Sequence, residues 1–179
     1  MAYYLMQPFV PTQPDVGAAF GTFTTRQDVS PQPLPVARAG QLFEGAKILL
    51  KANGEYSSTG TPTLILGFYF GTSAGAITLP LGESSANATS TAGTFPWSLE
   101  LLGTIVGTGT AGSIVAQGTC DFGTSLTAHT STPIPITLAL RTVAIDTTID
   151  RAFGVCATWN ASSASNTVRT NNLLAALLT

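Results

Sequence analysis

Charge is scarce in this chain. Only 9% of its 179 residues are Asp, Glu, Lys or Arg, and the seven Lys and Arg are scattered. A net charge of -2 supplies no basic field for a nucleic-acid backbone. Histidine occurs once, at His129, in the loop-like stretch TSLTAHTSTPIP, whereas a zinc or cupin-type site needs two or three converging imidazoles. Cysteine occurs twice, and Cys120 and Cys156 match no metal or redox spacing. Each sits in a strand-like run, where buried free thiols are the first reading and a disulfide the second. There is no GxxxxGK[ST] phosphate loop and no calcium loop. The chain is therefore expected to have no catalytic residues, no metal and no cofactor, and not to be an enzyme. The longest apolar stretches, such as LILGFYF, fall far short of the roughly 20 residues of a membrane helix. MAYYLMQPFVPTQPDVGAAF has no positively charged leader, and Pro8, Pro11 and Pro14 break any helix there, so no signal peptide is expected. A soluble protein with no nucleic-acid or membrane partner follows.

What remains is β material. Hydrophobic residues make up 44% of the chain, and Gly, Thr, Ser, Asn and Pro dominate the rest; pleated strands and turns are built from these, helical surfaces are not. The length fits one domain able to bury roughly 70% of the surface it exposes when unfolded.

Residues 1–19 read as an extended, proline-punctuated arm, and residues 20–179 as the domain. The arm carries Tyr3, Tyr4 and Phe9 with little means of burying them. It either folds back on its own domain or grips a partner, and its prolines bar it from contributing a sheet strand. Asp28-Val-Ser-Pro31 marks a turn. From Ala46 to Tyr56 the chain alternates, with Leu50, Ala52 and Tyr56 on one side and Lys51, Asn53 and Glu55 on the other. In TLILGFYFG, Leu64, Leu66, Phe68 and Phe70 share one face, yet Ile65 and Tyr69 make the opposite face apolar too. Such a strand is covered on both sides or lies against a subunit neighbour. Pro96–Val106 and Ser113–Phe122, joined by GTGTAG, read as a hairpin. One or two strands follow over Pro133–Ile145, another over Arg151–Trp159, and Thr167–Leu178 is strand or short helix. About eight strands with no helical blocks predict a jelly-roll-like, two-sheet antiparallel sandwich with an N-terminal arm.

Asp146 and Asp150 stand four apart, as two glycosidase acids could, but Thr147-Thr148 between them suggests a hairpin in which Asp accepts backbone hydrogen bonds. Asp28 and Asp121, the latter at a strand end, read alike. Asn87-Ala-Thr89 and Asn160-Ala-Ser162 match the glycosylation pattern by chance in a Ser/Thr-rich chain. Arg26, Arg38, Arg141, Arg151 and Arg169 read as scattered solvated charges. The closing WNASSASNTVRTNN leaves a ligand site, a glycosylated loop or a turn open.

Taken in order, QDVSPQP, TPTLILGFYFG, FPWSLELLGT, TSLTAHTSTPIPITL and AIDTTIDRAFGVCATWNASSASNTVRTNN resemble small β-rich proteins of tailed bacteriophages, most closely the jelly-roll decoration (cement, minor capsid) proteins of phage heads. The resemblance spans about Thr22 to Asn172. It implies a structural virion protein, assembled in the host cytoplasm, that binds the outer capsid surface as a homotrimer with the major capsid protein as partner. Tyr3, Tyr4, Phe9, Ile65 and Tyr69 are the candidate capsid or subunit contacts. The resemblance also implies that Ala161–Asn166 is a turn and that Val168 onward returns as the strand partner of the Trp159 strand. The alternative is a phage tail, receptor-binding or carbohydrate-binding module stacking sugar on Trp97 or Trp159, although both tryptophans alternate in phase with aliphatic residues.

Overall fold

In Lys47–Thr59, Ile48, Leu50, Ala52, Gly54, Tyr56 and Ser58 are buried while the residues between them are exposed or half-buried, the two-residue period of a strand covered on one face. The computed structural model describes residues 6–8, 17–72, 76–89, 92–125, 128–137, 139 and 141–178. Among them the strands are, in chain order, β1 (Met6–Pro8), β2 (Phe20–Gly21), β3 (Gln27–Asp28), β4 (Val36–Ala37), β5 (Lys47–Thr59), β6 (Thr63–Thr72) and β7 (Leu79–Glu83). Then come β8 (Asn87–Ala88), β9 (Ala92–Gly107), β10 (Ser113–Gly123), β11 (His129–Ile134), β12 (Thr142–Ala144), β13 (Arg151–Trp159) and β14 (Thr167–Leu178). Eight of these run five residues or longer; β7 is not among the expected strands, and the stretch Pro133–Ile145 holds only the end of β11 and the three-residue β12.

Two antiparallel sheets result. The larger runs β1, β14, β5, β9, β10, β11, with β2 also on β14 and β12 on β10; the smaller runs β3, β13, β6, β7, with β4 on β13 and β8 on β6. The expected all-β two-sheet sandwich is present. Its order is particular: β9, β10 and β11 stay side by side as a meander in one sheet, whereas a jelly roll is wound from two Greek keys. The β9–β10 hairpin forms as expected, in register from Trp97 opposite Phe122 to Ile105 opposite Ile114. Thr167–Leu178 is strand.

Between the sheets lie Trp97, Trp159, Tyr56, Phe68, Phe70, Phe122 and Phe153, all buried. Tyr56 stacks on Phe122 at 4.5 Å between ring centroids and donates its hydroxyl to the Gly123 carbonyl at 2.6 Å. Gly54 is required where it stands: a Cβ there would lie 1.9 Å from the Arg169 carbonyl oxygen and 2.5 Å from the Trp97 ring.

The smaller sheet is buried on its outer face as well. Residues 29–37 return across β13, with the Val29 N–H donating to Val155 O and the Phe153 N–H to Pro35 O, and the Ser30 hydroxyl accepting from the Val155 N–H at 2.8 Å. Leu34 and Val36 then pack on Tyr69, Ile77, Ala152 and Cys156. The second face of β6 is thus covered by its own chain at Tyr69, while Ile65 on the same face is only half-buried.

Three sequence expectations are corrected. Met6–Pro8 pairs with Ala176–Leu178, so the arm does contribute a strand; Pro8 is tolerated because the strand is short, lies at the sheet edge and ends at Pro8. The 160–166 turn does not return beside β13, for β14 enters the other sheet against β5, and the apolar faces of β13 and β14 meet across the interior. Residues 145–150 are no hairpin either, because they carry the chain from β12 in the larger sheet to β13 in the smaller.

Candidate functional surface

Tyr3, Tyr4 and Phe9 lie outside the described residues. The other two predicted contacts part company. Tyr69 is 2% exposed beneath Leu34 and Val36, its hydroxyl donates to the Glu83 carboxylate and the Arg26 guanidinium lies 5.0 Å above its ring, so its apolar surface is already used within the chain. Ile65 is half-buried and lines an apolar groove of about 400 Å³.

That groove lies where the two sheets part. One wall is β7, with Leu79 and Pro80; the other is the chain leaving β11 through Pro135 and Ile136, together with Val143 of β12. Leu79 is 46% and Ile136 49% exposed, so two large apolar side chains stand at an open site. Glu83 is its ionisable lining residue, held by Tyr69; burial raises its pKa, an effect partly offset by the Arg26 charge.

A second apolar feature is the outer face of the larger sheet. Ala176, Leu49 and Leu102 are consecutive across β14, β5 and β9, and Leu174, Val106 and Val115 stand around them. Leu102, Val106, Val115 and Leu174 are all exposed. Along the four long strands this face carries Lys47, Lys51 and Arg169 against Glu55, Glu100 and Asp121, three charges of each sign, with Lys51 bridged to Glu100 at 2.8 Å and Arg169 to Glu55 at 3.5 Å. The face is electrically balanced and aliphatic at its centre. Sequence reasoning passed over these residues, although the signal was present: Leu102 falls in phase with Ser98, Glu100 and Thr104, on the side where a strand should be polar. Leu79 and Ile136 carried no such mark.

The polar groups are spent on local structure. Asp28 accepts the Ser30 N–H at 2.9 Å. Asp146 accepts the Thr148 hydroxyl at 2.6 Å and its N–H at 2.9 Å, and these bonds hold its carboxyl below the usual carboxylate range. Asp150 is lowered likewise by the Ala39 N–H at 2.8 Å and the Arg38 guanidinium at 2.7 Å. Two expectations fail here. Arg151 is 7% exposed rather than solvated, donating to the Asp146 carbonyl at 2.7 Å with its guanidinium 5.8 Å from the Phe70 ring; a long stem buries well once its head is paired. Asp121 lies within β10, between Ser98 and Ser131, not at its end.

His129 opens β11 opposite Gly123, exposed, where a loop was expected; it borders a shallow hollow of about 410 Å³ with Asn53, Ser98 and Asp121. No group of three or more His, Cys, Asp or Glu able to hold a metal occurs among the described residues. Cys120 and Cys156 are free and buried, as expected, and burial pushes both thiols up to about 12. No helix among the described residues is long and apolar enough to cross a membrane.

The closing polar run is a turn. Asn160 accepts the Thr63 N–H at 2.8 Å, Ser163 accepts the Ser165 N–H at 3.2 Å, and Asn166 donates to the Ala161 carbonyl at 2.9 Å. These short side chains replace ladder bonds that the corner cannot make. Asn87 is likewise structural, 6% exposed and bonded to the Ser84 hydroxyl and the Ser85 carbonyl. No protein-family model matches the chain, and no curated protein matches it either.

Proposed function

We propose that this chain is a structural subunit of a tailed-phage particle, a head-decoration protein that associates as a trimer on the outer capsid surface. The phage assignment rests on the resemblance of the five sequence stretches above. The observation that carries an assembly role is the set of exposed aliphatic residues on the larger sheet's outer face, Leu102, Val106, Val115 and Leu174, beside the Lys51–Glu100 ion pair and with Arg169–Glu55 farther along the same face. Apolar area exposed on a sandwich marks a contact surface, and balanced charge lets that face meet a partner without net repulsion. Asp28, Asp146, Asp150, Asn87 and Asn160 are engaged in turns and crossovers rather than converging on a reacting atom. A carbohydrate-binding role ranks second, because Trp97 and Trp159 are 2% and 1% exposed and neither ring is free to stack on a sugar.

Native mass spectrometry of the full chain, alone and after mixing with undecorated phage heads, tests the reading. A trimeric mass and co-sedimentation with heads are expected. A monomer at micromolar concentration that stays in the supernatant, or saturable binding to a glycan array, would overturn it.

A further inference from the structure

The apolar groove between β7 and the β11–β12 edge has open walls and apolar side chains with no cover from the described residues. Leu79 and Ile136 are nearly half exposed, Pro80 and Pro135 flank them, and Ile65 forms part of the floor. At about 400 Å³ it falls in the lower part of the size range of ligand pockets, room enough for large apolar side chains. Pro80 lacks an N–H, which makes β7 a poor template for an added strand and leaves side-chain insertion as the mode the groove suits.

The chain carries a segment of matching chemistry. Tyr3, Tyr4 and Leu5 are uncharged, aromatic or aliphatic, and directly precede β1, which is fixed to the opposite edge of the larger sheet by the pairing of Met6 with Leu178. Five interstrand steps separate β1 from β11, about 24 Å at the usual strand spacing. Tyr3 is three residues from Met6 and so reaches at most about 10 Å from it. The groove of the same copy is out of range, while that of a neighbour is not.

We propose that the groove receives the Tyr3–Leu5 segment of a second copy of this chain. The inference rests on the trimer proposed above and specifies how it is made. Strand β1, which the segment precedes, and the groove lie on opposite edges of the sandwich, so the contact is head-to-tail; each copy gives at one edge and receives at the other, and a rotation of one third of a turn closes the chain of contacts into a ring of three. Tyrosine suits the role, since its ring fills an apolar slot while its hydroxyl stays in reach of water at an open mouth.

Cysteine pairing in the full chain tests this directly, because the two native thiols are buried with pKa values near 12 and do not compete. Tyr4→Cys and Ile136→Cys are placed in separate copies of distinguishable mass, mixed and mildly oxidised, with Leu79→Cys as a second acceptor in case Ile136→Cys disturbs folding. Disulfide-linked pairs of unlike copies are expected at roughly tenfold or more the yield of like pairs. The double variant Tyr3→Ser/Tyr4→Ser should show association weakened by roughly tenfold or more, the loss of buried aromatic surface read as an affinity. If the parent forms trimers but unlike pairs do not link and Y3S/Y4S trimers persist unchanged, the segment exchange is wrong and self-association stands. A bond formed within single copies carrying both cysteines also overturns the exchange. A monomeric parent overturns both readings.

Discussion

Whether Trp159 belongs to the core or to a binding platform decides between the two functional readings, and two substitutions separate them. The ring ends β13, is 1% exposed and meets Tyr56 edge-on at 6.3 Å between centroids. Its Nε1 makes no hydrogen bond. Trp159→Ala removes the whole ring from a packed interior and should cost about 3–5 kcal/mol. In a chain of this size each kcal/mol lowers Tm by about 2–4 °C, so a fall of roughly 6–20 °C is expected. Trp159→Phe loses volume but also removes a buried N–H that gains nothing from being there, and relieving that desolvation offsets part of the loss. The net cost should stay below about 1.5 kcal/mol, roughly 3–6 °C at most. Thermal unfolding of the three proteins by circular dichroism, with acrylamide quenching of the parent's emission, gives both readouts. A Trp159→Ala variant that melts within about 2 °C of the parent, together with freely quenched emission, would show a ring outside the core and return the sugar-stacking module to first place.

Gly54→Ala should cost about 3 kcal/mol or more, since the added carbon meets the backbone carbonyl of Arg169, which cannot swing aside; urea unfolding measures it, and a change under about 1 kcal/mol would contradict the packing. Cys120 and Cys156 should resist a thiol reagent in the native protein and react only on unfolding, and rapid labelling of either below pH 9 would place it at the surface. Glu83 has a folded pKa raised by burial, so the folded state binds its proton more readily than the unfolded one and stability falls as pH rises from the ordinary carboxylate value through the raised one. Glu83→Gln should flatten that decline, and an unchanged slope of Tm against pH across the same window would show that Glu83 is not its source. Asp146 and Asp150 act with the opposite sign: their lowered pKa values contribute stability above the usual carboxylate value that is lost as pH falls, so Asp146→Asn should reduce the acid-side loss of Tm.

Period-two alternation made β5, β9 and β10 legible residue by residue, because each has one face on the core and one outward, and burial then repeats the sequence pattern. The free, buried thiols and the in-phase tryptophans were legible for the same reason. Connections were not. Asn160 to Asn166 has the composition of a turn, but composition does not say whether the next strand lies beside the last one or across the interior from it. The pairing of β14 with β5, in the sheet across the interior from Trp159, settles that. The same limit governs β6, whose two apolar faces left its own chain and a neighbour equally eligible as cover. What decided it was Leu34 and Val36, held over Tyr69 by the Ser30 hydroxyl and the Pro35 carbonyl, contacts between segments more than a hundred residues from β13 in sequence. The candidate contacts follow from this. Once Tyr69 is accounted for inside the chain, the apolar surface left over is what none of the described residues covers: Ile65 with Leu79 and Ile136 at one edge, Leu102 and its neighbours on the larger sheet's face. Two separate apolar surfaces on one sandwich suit a subunit with two different neighbours, one met edge to edge through the groove and another met face-on. On that reading, replacing Leu102 with Asp should weaken head binding and leave the trimeric mass unchanged, while replacing Ile136 with Asp should do the reverse; if either variant loses both properties while its Tm is unchanged, the two surfaces serve a single contact and the division between them is wrong.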